Sequence, residues 1–352
     1  YLIRGSEKTA IIDAVDPAMW PVMRNKLTEV SKVDYIIAQH AEQDHSGAIP
    51  ELLKMYPEAQ LLCSDKGVAL MASHLAIPEE KWRVVKDGEE LSLGDKTLKF
   101  VYTPWVHWPE TISTYLKEDE ILFTCDFFGS HYASSSLFSG MNPQVIDSAK
   151  RYYAELMMPF RKIISGHLEK LKPFSIKWIA PSHGPIHDHP ELILEAYRDW
   201  ISDRLSNEVV IPYISMHGST ELMVDHLMTR LSRGGVVVHK YELTSTDLGK
   251  LAMSLVDAAT VVIGTPTVYT APHPAVQYAL HLTKVLRPKL KYAAVIGSYG
   301  WGTKVADHVR ENLSSLKVEM LGAILAKGHP TAEIYSQLDA LADQIAAKHA
   351  LL

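Results

Sequence analysis

From residue 209 onward the chain repeats one unit, a short and nearly continuous apolar strand followed by a helical stretch. Strands are expected at residues 209–215, 235–242, 260–264, 293–297 and 317–325. Helices are expected at about 221–232, 247–257, 274–282, 304–316 and 334–347. A strand that is apolar along its whole length must be covered on both faces, and a helix after each strand supplies the crossover that parallel neighbours need. Five such units predict a doubly wound parallel sheet.

The residues before this repeat are patterned differently. A strand pair is expected at 1–4 and 9–15, then strands at 35–38, 60–63 and 98–101, mixed with amphipathic helices at 21–30 and 49–55. There follow a strand at 121–125, an irregular Gly/Ser/Tyr-rich stretch at 129–140, a long helical segment over 147–171, a strand at 178–181 and a charged helix at 190–205. With 352 residues, about twice a typical domain, two domains are expected, 1–205 and 206–352. The chain opens on Tyr1 inside the strand pair, so a preceding stretch is expected.

Composition narrows the function classes. A balance of 35 Lys+Arg against 41 Asp+Glu, with 47% hydrophobic residues, describes a soluble globular chain and argues against a nucleic-acid surface. No apolar run is long enough to span a bilayer, and the opening residues lack the layout of a signal peptide. No membrane partner is expected. Two cysteines are too few for a disulfide framework or a thiolate metal cage, which points to a reducing, cytoplasmic setting. Histidine is abundant at 17, and several stand beside carboxylates, a setting suited to metal ligation.

The densest cluster is His40-Ala-Glu42-Gln-Asp44-His45, directly after the strand at 35–38. In a locally extended turn, residues 40, 42 and 44 project to one side and residue 45 to the other, so four candidate ligands ring a small volume. Any two of them read as a solvated polar loop; all four together are costly without a cation. Three further candidates lie at strand ends or in turns: His107 near Trp105 and Trp108, Asp126 after the strand at 121–125, and His183 in Pro-Ser-His-Gly-Pro. Singly they read as a packed ring, a helix cap and a turn residue. Jointly they are what a rigid scaffold offers a preformed site.

This set, in this order, resembles the metallo-β-lactamase-like domain of the flavodiiron proteins (A-type flavoproteins). The second segment resembles that family's flavodoxin-like domain, so the likeness covers essentially the whole chain. It implies an α/β fold: an N-terminal metallo-β-lactamase-like αββα sandwich, then a flavodoxin-like doubly wound parallel five-stranded sheet of order 2-1-3-4-5. Zinc hydrolases of the same superfold usually read His-x-His-x-Asp-His, whereas Glu42 stands here in place of the second His. A carboxylate for an imidazole makes the site harder and more anionic, suited to iron; zinc offers no redox chemistry. The resemblance implies two iron ions, one held by His40, Glu42 and His107, the other by Asp44 and His183, with Asp126 bridging. His45 belongs to the set, although in some members the equivalent ring turns away.

In the second segment, Ser215-Met216-His217-Gly218-Ser219-Thr220 opens the helix at 221–232 and offers hydroxyls and backbone N–H groups to a phosphate. Pro266-Thr267-Val268-Tyr269 follows the third strand and Ser298-Tyr299-Gly300-Trp301-Gly302 the fourth. In the order 2-1-3-4-5 these three loops converge, which suits FMN. Taken alone, the three aromatics among them, Tyr269, Tyr299 and Trp301, read as ordinary core or surface residues. A nicotinamide is disfavoured, since no Gly-x-Gly-x-x-Gly follows the first strand. His217 stands where relatives often carry an aromatic residue.

The activity implied by the resemblance is reduction of O₂ to water, of NO to N₂O, or both. FMN would relay electrons from an external donor such as rubredoxin or a reduced deazaflavin, in a head-to-tail homodimer or a dimer of dimers. Two alternatives use the same residues: a metallo-β-lactamase-superfamily hydrolase fused to a flavodoxin domain, and a flavin electron carrier with a vestigial metal site. Of the remaining histidines, His131, His187, His189 and His273 read as solvated loop residues.

Overall fold

The computed structural model describes residues 1–352. The chain folds as two compact units, one made of Tyr1–Tyr152 with Phe160–Arg198, the other of Tyr153–Pro159 with Asp199–Leu352.

The first unit holds two five-stranded sheets. One runs β1 (Leu2–Arg4), β2 (Thr9–Ile12), β3 (Tyr35–Ile37), β4 (Gln60–Cys63) and β5 (Trp82–Val84) in spatial order, parallel except for the β1–β2 hairpin. The other comprises β6 (Glu90–Ser92), β7 (Thr97–Tyr102), β8 (Ile112–Leu116), β9 (Ile121–Cys125) and β10 (Trp178–Pro181). Its neighbours are antiparallel until β10 joins β9 in parallel. Alternation decides which side chains meet. Ile12, Ile37 and Leu62 point into a core shared with Leu98, Phe100, Ile112 and Phe123 of the facing sheet. Their neighbours Ile11, Ile36 and Leu61 pack outward beneath the helical layer.

That layer contains α1 (Trp20–Lys26), α2 (Gln43–Ser46), α3 (Ile49–Met55) and α4 (Asp65–Met71); α5 (Pro143–Tyr152), α6 (Arg161–Leu171) and α7 (Pro190–Ile201) follow the second sheet. The helical segment expected over 147–171 is broken between α5 and α6 by a π turn and a 3₁₀ turn. Pro159 explains the break, because it has no N–H to donate and its ring clashes with the preceding turn. Strands β5 and β6 lie outside the expected elements, and so does β8. Its sequence Ile-Ser-Thr-Tyr-Leu shows no polar alternation because all five residues are buried.

In the second unit β11 (Ser206–Tyr213), β12 (Val237–Glu242), β13 (Ala258–Val268), β15 (Tyr292–Tyr299) and β16 (Glu319–Lys327) form a parallel sheet of order β12-β11-β13-β15-β16, with β14 (Ala271–Pro272) folded back on β13. This is the expected 2-1-3-4-5 winding. Val209, Ile211 and Tyr213 face α8 (Ser219–Arg233) and α12 (Ala332–His349). Val210 and Ile214 face α9 (Leu248–Leu255), α10 (Pro274–Leu286) and α11 (Val305–Leu313). β13 runs past the expected 264 because Thr267 and Val268 pair with Pro272 and Ala271 around Tyr269 and Thr270, both at positive φ as a tight hairpin turn requires. No helix is long and apolar enough to cross a membrane.

Candidate metal centre and flavin cleft

The seven candidate ligands of the first unit all meet. His40 follows β3, Glu42 precedes α2, and Asp44 and His45 lie on it. His107 sits between β7 and β8, Asp126 follows β9, and His183 follows β10. The local backbone differs from the extended turn expected at 40–45: Glu42 is extended, but Gln43–Ser46 is one turn of helix. That turn carries Asp44 and His45 toward His183, away from Glu42.

Two groups of donor atoms result, His40/Glu42/His107/Asp126 and Asp44/His45/His183. Glu42 Oε2 lies 3.2 Å from Nε2 of both His40 and His107. Asp44 Oδ2 lies 3.2 Å from His183 Nε2 and 3.4 Å from His45 Nε2. Asp126, 1% exposed, divides its oxygens between them. Oδ2 is 3.4 and 3.3 Å from His40 and His107, and Oδ1 is 3.1 and 3.2 Å from His45 and His183. His45 thus turns its Nε2 inward, with its Nδ1 3.4 Å from Cys125 Sγ and 3.9 Å from Asp13 Oδ2. Asp126 Oδ2 and Asp44 Oδ1 are buried without a hydrogen-bond donor. Every donor is nitrogen or oxygen, a set that suits iron, and buried lone pairs without a donor are what a cation would satisfy.

Burial alone would lower the His40 pKa, but hydrogen bonds to Glu110 and Glu42 and the charge of Asp126 push it up to about 10. His183 is likewise pushed up to about 10, its burial outweighed by hydrogen bonds to Asp126 and Asp44. Burial works against ionising Asp126, yet the three imidazoles around it hold its carboxyl well below the usual range. Protons and a cation compete for these nitrogens. Both imidazoles bind a proton more tightly folded than unfolded, where the value is near 6.5. Their contribution to stability is therefore whole below pH 6.5 and is lost as pH rises toward about 10. Chelator-stripped protein is expected to lose thermal stability across that window and the metal-loaded protein to stay level. Calorimetric melting at stepped pH measures the difference, and parallel curves for the two forms would contradict it.

Several supporting residues were not evident in the sequence. Tyr152 on α5 donates to Asp126 Oδ1 at 3.0 Å. The Gln39 side chain donates to the carbonyls of Ile112 and Phe123, both at 2.9 Å, tying the end of β3 to β8 and β9. Glu110, three residues beyond His107, accepts from His40 Nδ1 at 2.7 Å. His187 corrects its reading as a solvated residue: it is buried, with Nε2 donating to the Phe128 carbonyl at 3.0 Å. His273 caps α10, His189 pairs with Glu191 in solvent, and His131 meets the Tyr152 ring edge-on.

In the second unit, a cleft of about 410 Å³ opens at the carboxyl ends of the strands. The first loop contributes Ser215, Met216, His217, Ser219 and Thr220, the second Pro266 and Thr267, and the third Ser298, Tyr299 and Gly300. Gly218 turns the chain into α8 at φ 83°, a left-handed position open to glycine. Val268, Tyr269, Trp301 and Gly302 are not on the cleft wall, and Tyr269 and Trp301 stand 90% and 79% exposed. Gly328 and His329, beyond β16, line the cleft without having been anticipated. A loop after the fifth strand lies beside the fourth, but neither residue type announces a ligand. Thr220 Oγ1 and Ser298 Oγ approach to 3.4 Å across the floor, and no lysine or arginine lines the wall. Neutral hydroxyls and the amides opening α8 suit a phosphate.

The model of the ODP family beta lactamase matches residues 1–184. The nitric oxide reductase of Moorella thermoacetica is 34% identical over 91% of this chain and 82% of its own. Among solved structures, the rubredoxin oxygen:oxidoreductase of Desulfovibrio gigas superposes with a TM-score of 0.94 at 29% identity, covering 100% of this chain and 90% of that one. The flavodiiron protein of Giardia intestinalis superposes with a TM-score of 0.92 at 26% identity, covering 100% and 88%. The chain belongs to the flavodiiron protein family. Flavodiiron proteins are oxidoreductases that carry FMN and a non-haem diiron centre. The first unit has the metallo-β-lactamase-like fold and the second the flavodoxin-like fold of this family. The donor atoms of the first unit and the neutral cleft of the second fit those two cofactors.

Proposed function

We propose that this flavodiiron protein reduces O₂ to water, NO to N₂O, or both, in the cytoplasm. Residues 1–205 would carry the irons and residues 206–352 the flavin. The observation that carries this reading is the division of Asp126 between two donor groups, Oδ2 toward His40 and His107 and Oδ1 toward His45 and His183. His40, Glu42 and His107 would hold one iron, and Asp44, His45 and His183 the other. When bound, the irons supply one electron each and FMN two, enough in total to take O₂ to two waters.

The chain's own groups set how substrate enters and how the site stays rigid. His40, His45 and Asp126 are buried at the floor, whereas Glu42 and Asp44 are partly exposed, so a diatomic molecule would approach from the carboxylate side. Tyr152 restrains Asp126 through its hydroxyl. In the second unit Ser215, Met216, His217, Gly218, Ser219 and Thr220 would hold the flavin phosphate, with Pro266, Thr267, Ser298, Tyr299 and Gly300 flanking the ring. The electron donor would be a separate reduced partner, a rubredoxin-type protein or a reduced deazaflavin, and the working form a homodimer or a dimer of dimers.

Metal and flavin analysis tests the reading, with two irons and one FMN expected per chain. Anaerobic assays with each reduced donor, supplied with O₂ and with NO in turn, then assign substrate and donor. Bound zinc with no turnover of either gas would overturn it.

A further inference from the structure

Behind the ligands of the first unit lies a carboxylate that touches no candidate metal position. Glu110 stands between β7 and β8 and is 3% exposed. Its Oε1 accepts from His40 Nδ1 at 2.7 Å and from the Ala41 backbone N–H at 2.9 Å. Its own carbonyl accepts from Ser64 Oγ at 2.7 Å, which anchors the residue to the end of β4. A carboxylate oxygen can only accept, so Nδ1 of His40 keeps a hydrogen; a cation that displaced the proton from Nε2 would meet that nitrogen's lone pair beside Glu42 and Asp126.

The other group has no equivalent. The far nitrogen of His45 meets a cysteine sulfur at 3.4 Å, and the nearest carboxylate, Asp13, is 3.9 Å away. A sulfhydryl is a weak partner, and 3.9 Å is beyond a hydrogen bond. The two groups therefore differ in how electron-rich their buried imidazoles are. A carboxylate on the far nitrogen raises the basicity of a ligating imidazole and fixes its ring, and so favours the more highly charged state of a metal.

We propose that Glu110 is a positioning residue of the diiron centre. Through its hydrogen bond to His40 it makes the position bounded by His40, Glu42 and His107 the tighter-binding and lower-potential of the two. This rests on the proposed function above.

Glu110→Gln separates charge from shape, because a glutamine Oε1 can still accept from both His40 Nδ1 and the Ala41 N–H. Parent and variant, each with FMN retained and metal removed, are titrated anaerobically with ferrous iron. The variant is expected to lose about 10–100-fold in affinity for one of its two irons. A redox titration followed by electron paramagnetic resonance is expected to show the potential of one iron raised, with that of FMN unchanged. Glu110→Asp keeps the charge but draws it back by one methylene; it is expected to fall between parent and Gln variant, and it carries the test if the Gln variant does not fold. A parent that takes up fewer than two irons overturns both this inference and the reading beneath it. A two-iron parent whose variants match it in affinity and potentials overturns this inference alone. So does weakening of both irons to the same extent, the signature of general loosening.

Discussion

A chain carrying Asp126→Asn is expected to retain FMN with an unaltered visible spectrum, to hold fewer than two irons, and to consume O₂ and NO at least about 100-fold more slowly than the parent. The factor follows from position. Residues behind a metal ligand commonly cost 10–100-fold when changed, and Asp126 lies in front, with one oxygen in each donor group. Asparagine removes the negative charge and must turn an NH₂ toward one pair of imidazoles, so only one group keeps an oxygen. If the NH₂ takes the Oδ1 place, the Tyr152 hydroxyl also loses its acceptor. Iron analysis with gas-electrode assays measures the effect, and parent-rate turnover would show that Asp126 is not shared between two irons.

The second large effect is expected at Gly297. A Cβ built there would lie 1.9 Å from the Thr265 carbonyl oxygen, far inside contact distance. Thr265 and Gly297 are paired across β13 and β15, the two strands that deliver Pro266, Thr267, Ser298 and Tyr299 to the cleft. Gly297→Ala must therefore part these strands where the flavin loops begin. Overpacking of this kind costs about 1–3 kcal/mol. FMN affinity is expected to fall about tenfold, which at 1.4 kcal/mol per decade lies within that range, while iron content stays at the parent level. Gly322→Ala in the adjacent β16, where an added Cβ meets nothing within 4 Å, serves as the control. Equal flavin dissociation constants for parent and Gly297→Ala would mean that the flavin does not depend on this junction.

The winding of the second unit was legible because each strand is apolar throughout and followed by a helix, a pattern with few other solutions. The candidate metal cluster was legible because four of its seven members lie within six consecutive residues. What escaped was of two kinds. Strand β8 hides its period since Ser113 and Thr114 are as buried as Ile112, so polarity no longer reports exposure there. Glu110 and Tyr152 act behind the ligands, and nothing in an isolated Glu or Tyr distinguishes a buried supporting residue from a surface one. The turn at 43–46 shows a third limit. Alternation put residues 40, 42 and 44 on one side and 45 on the other, whereas a single turn of helix, too short to have a period, sets Asp44 with His45 and His183 and leaves His40 with Glu42.

The two cysteines have a consequence of their own. Cys63 ends β4 and Cys125 ends β9, and both are buried and unpaired. Burial, with the charges of Asp65 and Glu110 nearby, pushes the Cys63 thiol up to about 12; burial and the carboxylates of Asp13 and Asp126 push Cys125 well up too. Oxidation to a sulfenic acid and the onward steps begin from the thiolate, and exposed low-pKa sulfurs are the ones attacked. A chain proposed to meet oxygen and nitric oxide at every turnover thus keeps both of its sulfhydryls buried and shifted away from the reactive thiolate.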